Sequence, residues 1–139
     1  METSKSPRTL RGACLCERVR YEVADAFCYA AMCHCGKCRR ATGSAFKPFA
    51  GIERDRLRIT DGKERVKFFG DATTHDAHCA DCGSLLYSQV REARFAHVTL
   101  GTLVDEPTIR PTHHIFVGSK AAWETITDSL PQFSEHAKS

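Results

Sequence analysis

Cys79-Ala80-Asp81-Cys82-Gly83 is the stretch on which the fold turns. A CxxC followed by Gly has two readings. A tight turn of this kind aims two thiolates at one metal, and the glycine tolerates positive φ. The same spacing also serves a thioredoxin-like redox pair, but that reading requires a βαβ setting. The neighbouring residues decide between them. Val66-Lys67-Phe68-Phe69 and Thr73 to His78 precede the turn, and Leu85 to Gln89 and Phe95 to Leu103 follow it. These segments are short, β-prone and bounded by turn formers, so the spacing predicts an all-β domain with a metal-binding turn.

Toward the N-terminus, Leu57-Arg58-Ile59-Thr60 reads as a strand joined to Val66–Phe69 across Asp61-Gly62, a hairpin signal. Val19, Tyr21 and Val23 alternate with Arg18, Arg20, Glu22 and Ala24 in the period-2 pattern of a half-buried strand. Gly12-Ala13-Cys14-Leu15-Cys16 leads into it, so a CxC enters a strand. Phe27 to Met32 is an apolar run that reads as a more buried strand, with Cys28 as a small core residue. Ala45 to Ala50 reads as a strand interrupted by Pro48, which places it at an edge or a bulge. His114-Ile115-Phe116-Val117 is a last strand, and Ser119 is placed to cap a turn through Trp123. Residues 1–10 are expected to be a disordered polar leader, 11–133 a single zinc-binding domain, and 134–139 a polar tail.

With 139 residues, 42% of them hydrophobic, the chain suits one domain with its own core. Twenty basic against seventeen acidic residues give a charge of only +3, too mild to require nucleic acid or an anionic membrane. No apolar run approaches the roughly 20 residues that cross a bilayer, and the first ten residues lack the apolar core of an export signal. A cytoplasmic address is the expectation. Its reducing conditions, and the grouping of the eight cysteines in short clusters, point to metal ligands rather than disulfides.

Between the flanking pairs lies Cys33-His34-Cys35-Gly36-Lys37-Cys38, three thiols within six residues. Arg39-Arg40-Ala41-Thr42-Gly43 then has room for one or two helical turns with Gly43 as a left-handed cap. Either Cys14 and Cys16 or two of the central thiols can complete a tetrahedral set with Cys79 and Cys82 by spacing. If Cys14 and Cys16 do, then Cys33, Cys35 and Cys38 remain one ligand short, the arrangement of a catalytic metal site. A second structural site with His34 or Cys28 as fourth ligand is the competing reading. In an extended segment the His34 ring points away from its flanking thiols, which makes it a solvated or packed histidine.

From Gly12 to Phe133 the chain resembles the glutathione-dependent formaldehyde-activating enzyme family, relatives of centromere protein V. The resemblance is carried by the CxC at 14–16, Cys33 through Ser44, Cys79 through Ser84, Gly101-Thr102-Leu103, His114-Ile115-Phe116, Ser119 through Trp123, and Leu130-Pro131-Gln132-Phe133. It departs from the family at Glu17, where Gly is usual, at His78, where an aromatic is usual, and at Val104, where an acidic residue is usual. The resemblance implies a β-tent fold and two Zn2+ ions per chain. Cys14, Cys16, Cys79 and Cys82 would hold a structural zinc. Cys33, Cys35 and Cys38 would hold the catalytic one.

It further implies a carbon-sulfur lyase that forms S-hydroxymethylglutathione from glutathione and formaldehyde, with a small thiol as partner. Two carboxylates and an ammonium on glutathione call for cations near the metal, and Lys37, Arg39 and Arg40 are the candidates. Phe46, Trp123, His113 and His114 are candidates to wall the pocket or move protons. Two alternatives stand beside this enzyme. One is a zinc-stabilised protein-binding module with two structural metals, and the other is redox cycling of Cys35 and Cys38.

Overall fold

The computed structural model describes residues 6–137. Ten strands and one short helix form a mainly β architecture of the β-tent type. The strands are β1 (Thr9–Ala13), β2 (Arg20–Ala24), β3 (Tyr29–Cys33), β4 (Lys47–Glu53) and β5 (Leu57–Asp61). They continue as β6 (Val66–Gly70), β7 (His75–Cys79), β8 (Leu85–Val90), β9 (Phe95–Thr99) and β10 (His114–Ile115), with helix α1 (Gly36–Thr42) between β3 and β4.

Two sheets share these strands. The smaller has the order β1-β2-β5, and the larger has the order β10-β3-β4-β9-β8-β7-β6. All pairs are antiparallel except β10 with β3. Alternation assigns each side chain to a face. Leu10, Tyr21 and Val23 of the small sheet bury against Ile52, Leu86, Ala96 and Val98 of the large one, and Cys14 and Cys79 belong to the same core. The opposite face of the large sheet receives Ala31 and Cys33 of β3, Lys47 and Phe49 of β4, and Thr99 and His97 of β9, which lie in register. One face is core, and the other carries chemistry.

Several expectations are corrected. Residues 1–5 of the leader lie outside the described residues, but Thr9 and Leu10 open β1, and Leu10 is fully buried. An apolar residue opposite Val23 has a core to enter, whatever the polarity of its neighbours. Ser134 and Glu135 of the expected tail accept backbone hydrogen bonds from Gly118 and Phe116, while residues 138–139 lie outside the described residues. Asp61-Gly62 does not make a hairpin. β5 pairs with β2 and β6 with β7, so the chain changes sheets there, through Gly62 at φ 75° and a 3-10 turn over Lys63–Arg65.

Pro48 lies in an interior strand, paired opposite Met32. The ladder to β9 begins only at Phe49, so the missing N–H of Pro48 falls just past its end and removes no bond. Cys28 is exposed rather than a core residue, because it precedes β3 and its thiol faces Glu53. The strand expected to reach Leu103 stops at Thr99 and passes into a 3-10 turn, Leu100–Thr102. Ser119 ends a 3-10 turn over Val117–Ser119 instead of capping a later one.

Candidate metal centres and active site

The end of β1 and the end of β7 bring four thiols together. Cys14, Cys16, Cys79 and Cys82 place their sulfurs within 4.8 Å of one another. Cys14 Sγ is 3.6 Å from Cys16 Sγ, which is 3.8 Å from Cys79 Sγ. A tetrahedral zinc with Zn–S near 2.3 Å requires sulfurs about 3.8 Å apart, whereas a disulfide requires about 2.0 Å. The four thiols therefore fit a metal and not a bridge. Gly83, at φ 83°, closes the CxxC turn, and its N–H donates to Cys79 O. Burial pushes the Cys82 thiol up, but hydrogen bonds from the Ser84 hydroxyl and N–H and from the Cys16 N–H outweigh it and hold the thiol down to about 5. A sulfur already disposed to be a thiolate is a ready ligand.

The second group lies on the outer face of the large sheet. Cys33 ends β3, Cys35 caps α1, and Cys38 lies in the first turn of that helix. Their sulfurs also converge within 4.8 Å, and among the described residues no other His, Cys, Asp or Glu ligand atom joins them. Cys35 Sγ accepts the Cys38 N–H at 3.3 Å, and Gly43 ends the helix in the left-handed conformation anticipated for it. A hydrogen bond with Cys33, and then burial, push the Cys38 thiol far above its ordinary range, while the same bond holds Cys33 below its own. Three thiols this close share protons unless a cation lets all of them ionise.

Two polar chains flank the trio. In the first, His34 is fully buried, which excludes the solvated reading. His34 Nε2 lies 2.8 Å from His114 Nδ1, and His114 Nε2 lies 3.1 Å from both carboxylate oxygens of Asp128. The two rings and the carboxylate thus form one hydrogen-bonded chain. His34 Nδ1, at its free end, is buried and has no partner among the described residues. Phe46 covers the pair, its ring centroid 5.1 Å from that of His34. In the second chain, Lys47 Nζ donates to Ser88 Oγ at 2.6 Å, and Ser88 Oγ donates to Asp76 at 2.6 Å. Burial lowers the Lys47 ammonium, opposed by the negative charge of Cys38 and Asp76.

Among the predicted substrate contacts, Lys37 and Arg40 line a recess of about 450 Å3 with Phe69, Asp76 and His78. Arg39, from the same helix, has a buried Nε without a partner among the described residues. His113 borders a separate recess on the same face of the sheet. Trp123 is 71% exposed and lines neither recess. Lys47 and His97 were missed from sequence. A lysine inside the apolar run Ala45–Ala50 was the available signal for the first, whereas His97 carried none.

The fold and its two thiol groups define a mainly β protein with two cysteine clusters that could hold metal. The model of the glutathione-dependent formaldehyde-activating enzyme family matches residues 9–119, and the chain belongs to that family. It is also similar to a crystal structure of a Rhodobacter sphaeroides protein solved as a structural genomics target. That likeness has a TM-score of 0.57 and 27% identity, over 70% of this chain and 91% of the other. No helix among the described residues is long and apolar enough to cross a membrane.

Proposed function

We propose that this chain is a zinc-dependent carbon-sulfur lyase-type enzyme that joins a small thiol to an aldehyde. Glutathione and formaldehyde, giving S-hydroxymethylglutathione, are the pair suggested by the family. The observation that carries the reading is the contrast between four converged thiols at one site and three at the other. The set of four is a structural zinc site. The trio is the catalytic one. A binding module with two structural metals would need a fourth protein ligand at the trio, and none lies within its ligand group among the described residues.

Zinc held by Cys33, Cys35 and Cys38 would supply Lewis acidity and favour the thiolate over the thiol. Three thiolates leave such a centre near −1 in net charge, which weakens that acidity. Lys47 compensates as a buried cation in register with Cys33, held by Ser88 and Asp76. Its charge stabilises the incoming thiolate and the oxyanion that forms when sulfur bonds to the carbonyl carbon. Lys37 and Arg40 on the exposed side of α1 suit the carboxylates of glutathione. Phe46, His34 and His114 exclude water behind the trio.

Exchange NMR on metal-loaded protein with glutathione and formaldehyde tests the proposal. Adduct interconversion should exceed the uncatalysed rate, and Cys38→Ser should abolish the excess. No acceleration with any thiol and aldehyde pair would refute it.

A further inference from the structure

The outer face of the large sheet contains a second recess, apart from the one that Lys37 and Arg40 line. Tyr29, Ala31, Phe49, His97, His113 and Ile115 line it, and it encloses about 590 Å3, within the range of small-molecule sites. Its floor packs directly beside the trio. Ala31, Cys33 and Phe49 form one buried cluster, against which Tyr29, Cys35, Cys38 and Ile115 pack.

The walls are aromatic and preformed. Phe49 and His97 lie nearly parallel, with ring centroids 4.3 Å apart and planes at 22°. Tyr29 stands edge-on to both, at 6.4 Å from Phe49 and 5.5 Å from His97. The Tyr29 hydroxyl lies 2.8 Å from His97 Nε2 and fixes that ring in place. Burial, and then the Lys47 and Arg91 cations, hold His97 down to about 3, so its ring is neutral near pH 7. Arg91 borders the recess with its guanidinium 5.0 Å from the centre of the Tyr29 ring.

Formaldehyde would bring one carbon and one oxygen to the trio and leave this space unfilled. We propose that the recess receives the aromatic group of a larger aldehyde, so that the enzyme favours arylalkyl aldehydes over formaldehyde. A ring there stacks on preordered partners and loses little freedom beyond its own. The inference rests on the thiol and aldehyde reading above. The step balances without a redox partner. The thiol sulfur bonds to the carbonyl carbon, the C=O π pair moves to oxygen, and the thiol proton ends on that oxygen. The reverse step returns both reactants.

Two measurements on the metal-loaded full chain test it. In calorimetry, 2-phenylethanethiol should bind at least about tenfold more tightly than ethanethiol, since only the first has a ring to bury. Val90 and His113 border the recess without packing in the cluster that holds the thiols, so Val90→Phe and His113→Trp should erase that ratio while metal content and ethanethiol affinity persist. With glutathione as thiol, kcat/KM for phenylacetaldehyde should exceed that for formaldehyde. Equal affinity of the two thiols in the wild type overturns the assignment of the recess, as does an unchanged ratio in two folded variants. A higher kcat/KM for formaldehyde overturns the substrate preference. A binding ratio without catalysed adduct formation from either aldehyde supports the recess and overturns the reaction.

Discussion

Gly12 lies opposite Tyr21 in the β1–β2 ladder, and a Cβ at Gly12 would overlap the Tyr21 ring carbons and hydroxyl oxygen. Gly12 is not among the residues with positive φ, so replacing it by Ala is a steric perturbation and not a conformational one. Tyr21 has little room to move, being 1% exposed and hydrogen-bonded from its hydroxyl to Thr102 Oγ1 at 2.7 Å. Overpacking costs about 1–3 kcal/mol. Breaking the buried hydroxyl contact adds about 1–2 kcal/mol, and Ala in a strand returns about 0.5–1 kcal/mol. Gly12→Ala should therefore destabilise by about 3 kcal/mol. At a urea dependence of about 2 kcal/mol per molar, the midpoint falls by about 1.5 M. Cys14 is two residues away, so retained metal should fall with stability. The assay is urea unfolding of metal-loaded protein as a double-mutant cycle with Tyr21→Leu. In the Leu background the cost of Gly12→Ala should drop below about 1 kcal/mol. Equal costs in both backgrounds, or a midpoint shift under about 0.3 M in the wild type, would refute the reasoning.

Glu17 occupies the left-handed region at φ 66°, which glycine adopts without strain. Glu17→Gly should stabilise by about 1 kcal/mol in thermal unfolding, because the exposed Arg20 pair it forfeits contributes little. His97 titrates near 3 in the fold against 6.5 ordinarily, so on acidification the unfolded chain takes up this proton first. Its contribution is present above about 6.5 and is lost as pH falls toward 3, amounting to about 4 kcal/mol between those limits. Urea midpoints of wild type and His97→Gln across that window isolate the effect, since both hold the same thiols; parallel curves would contradict it. Lys47→Met should lower kcat for adduct formation about 100-fold with metal content retained, read by exchange NMR. Loss of metal together with activity would instead mark Lys47 as structural.

That the cysteines serve metal-type clusters was legible in the sequence, since thiols grouped in short runs announce a shared ligand, but spacing alone did not say which pair joins Cys79 and Cys82. Cys33, Cys35 and Cys38 converge as spacing allowed, and Gly43 ends α1 as expected. The partition of strands between sheets was not legible. Asp61-Gly62 is a local turn signal, whereas the pairing of Tyr21 with Ile59 that overrides it is long-range. Leu10 was hidden for the same reason, because its partner Val23 lies across a ladder and not along a period. The aromatic recess was invisible because Tyr29, Phe49 and His97 come from three strands that become neighbours only in the folded sheet.

The asymmetry between the two thiol groups is the central claim, and X-ray absorption of the metal-loaded protein during glutathione titration tests it most directly. Zinc should occupy both clusters, with four sulfurs at one site throughout and three plus a lighter atom at the other. On titration the second should gain a fourth sulfur while the first stays unchanged. Four sulfurs at both sites before glutathione is added, with no change on titration, would contradict it.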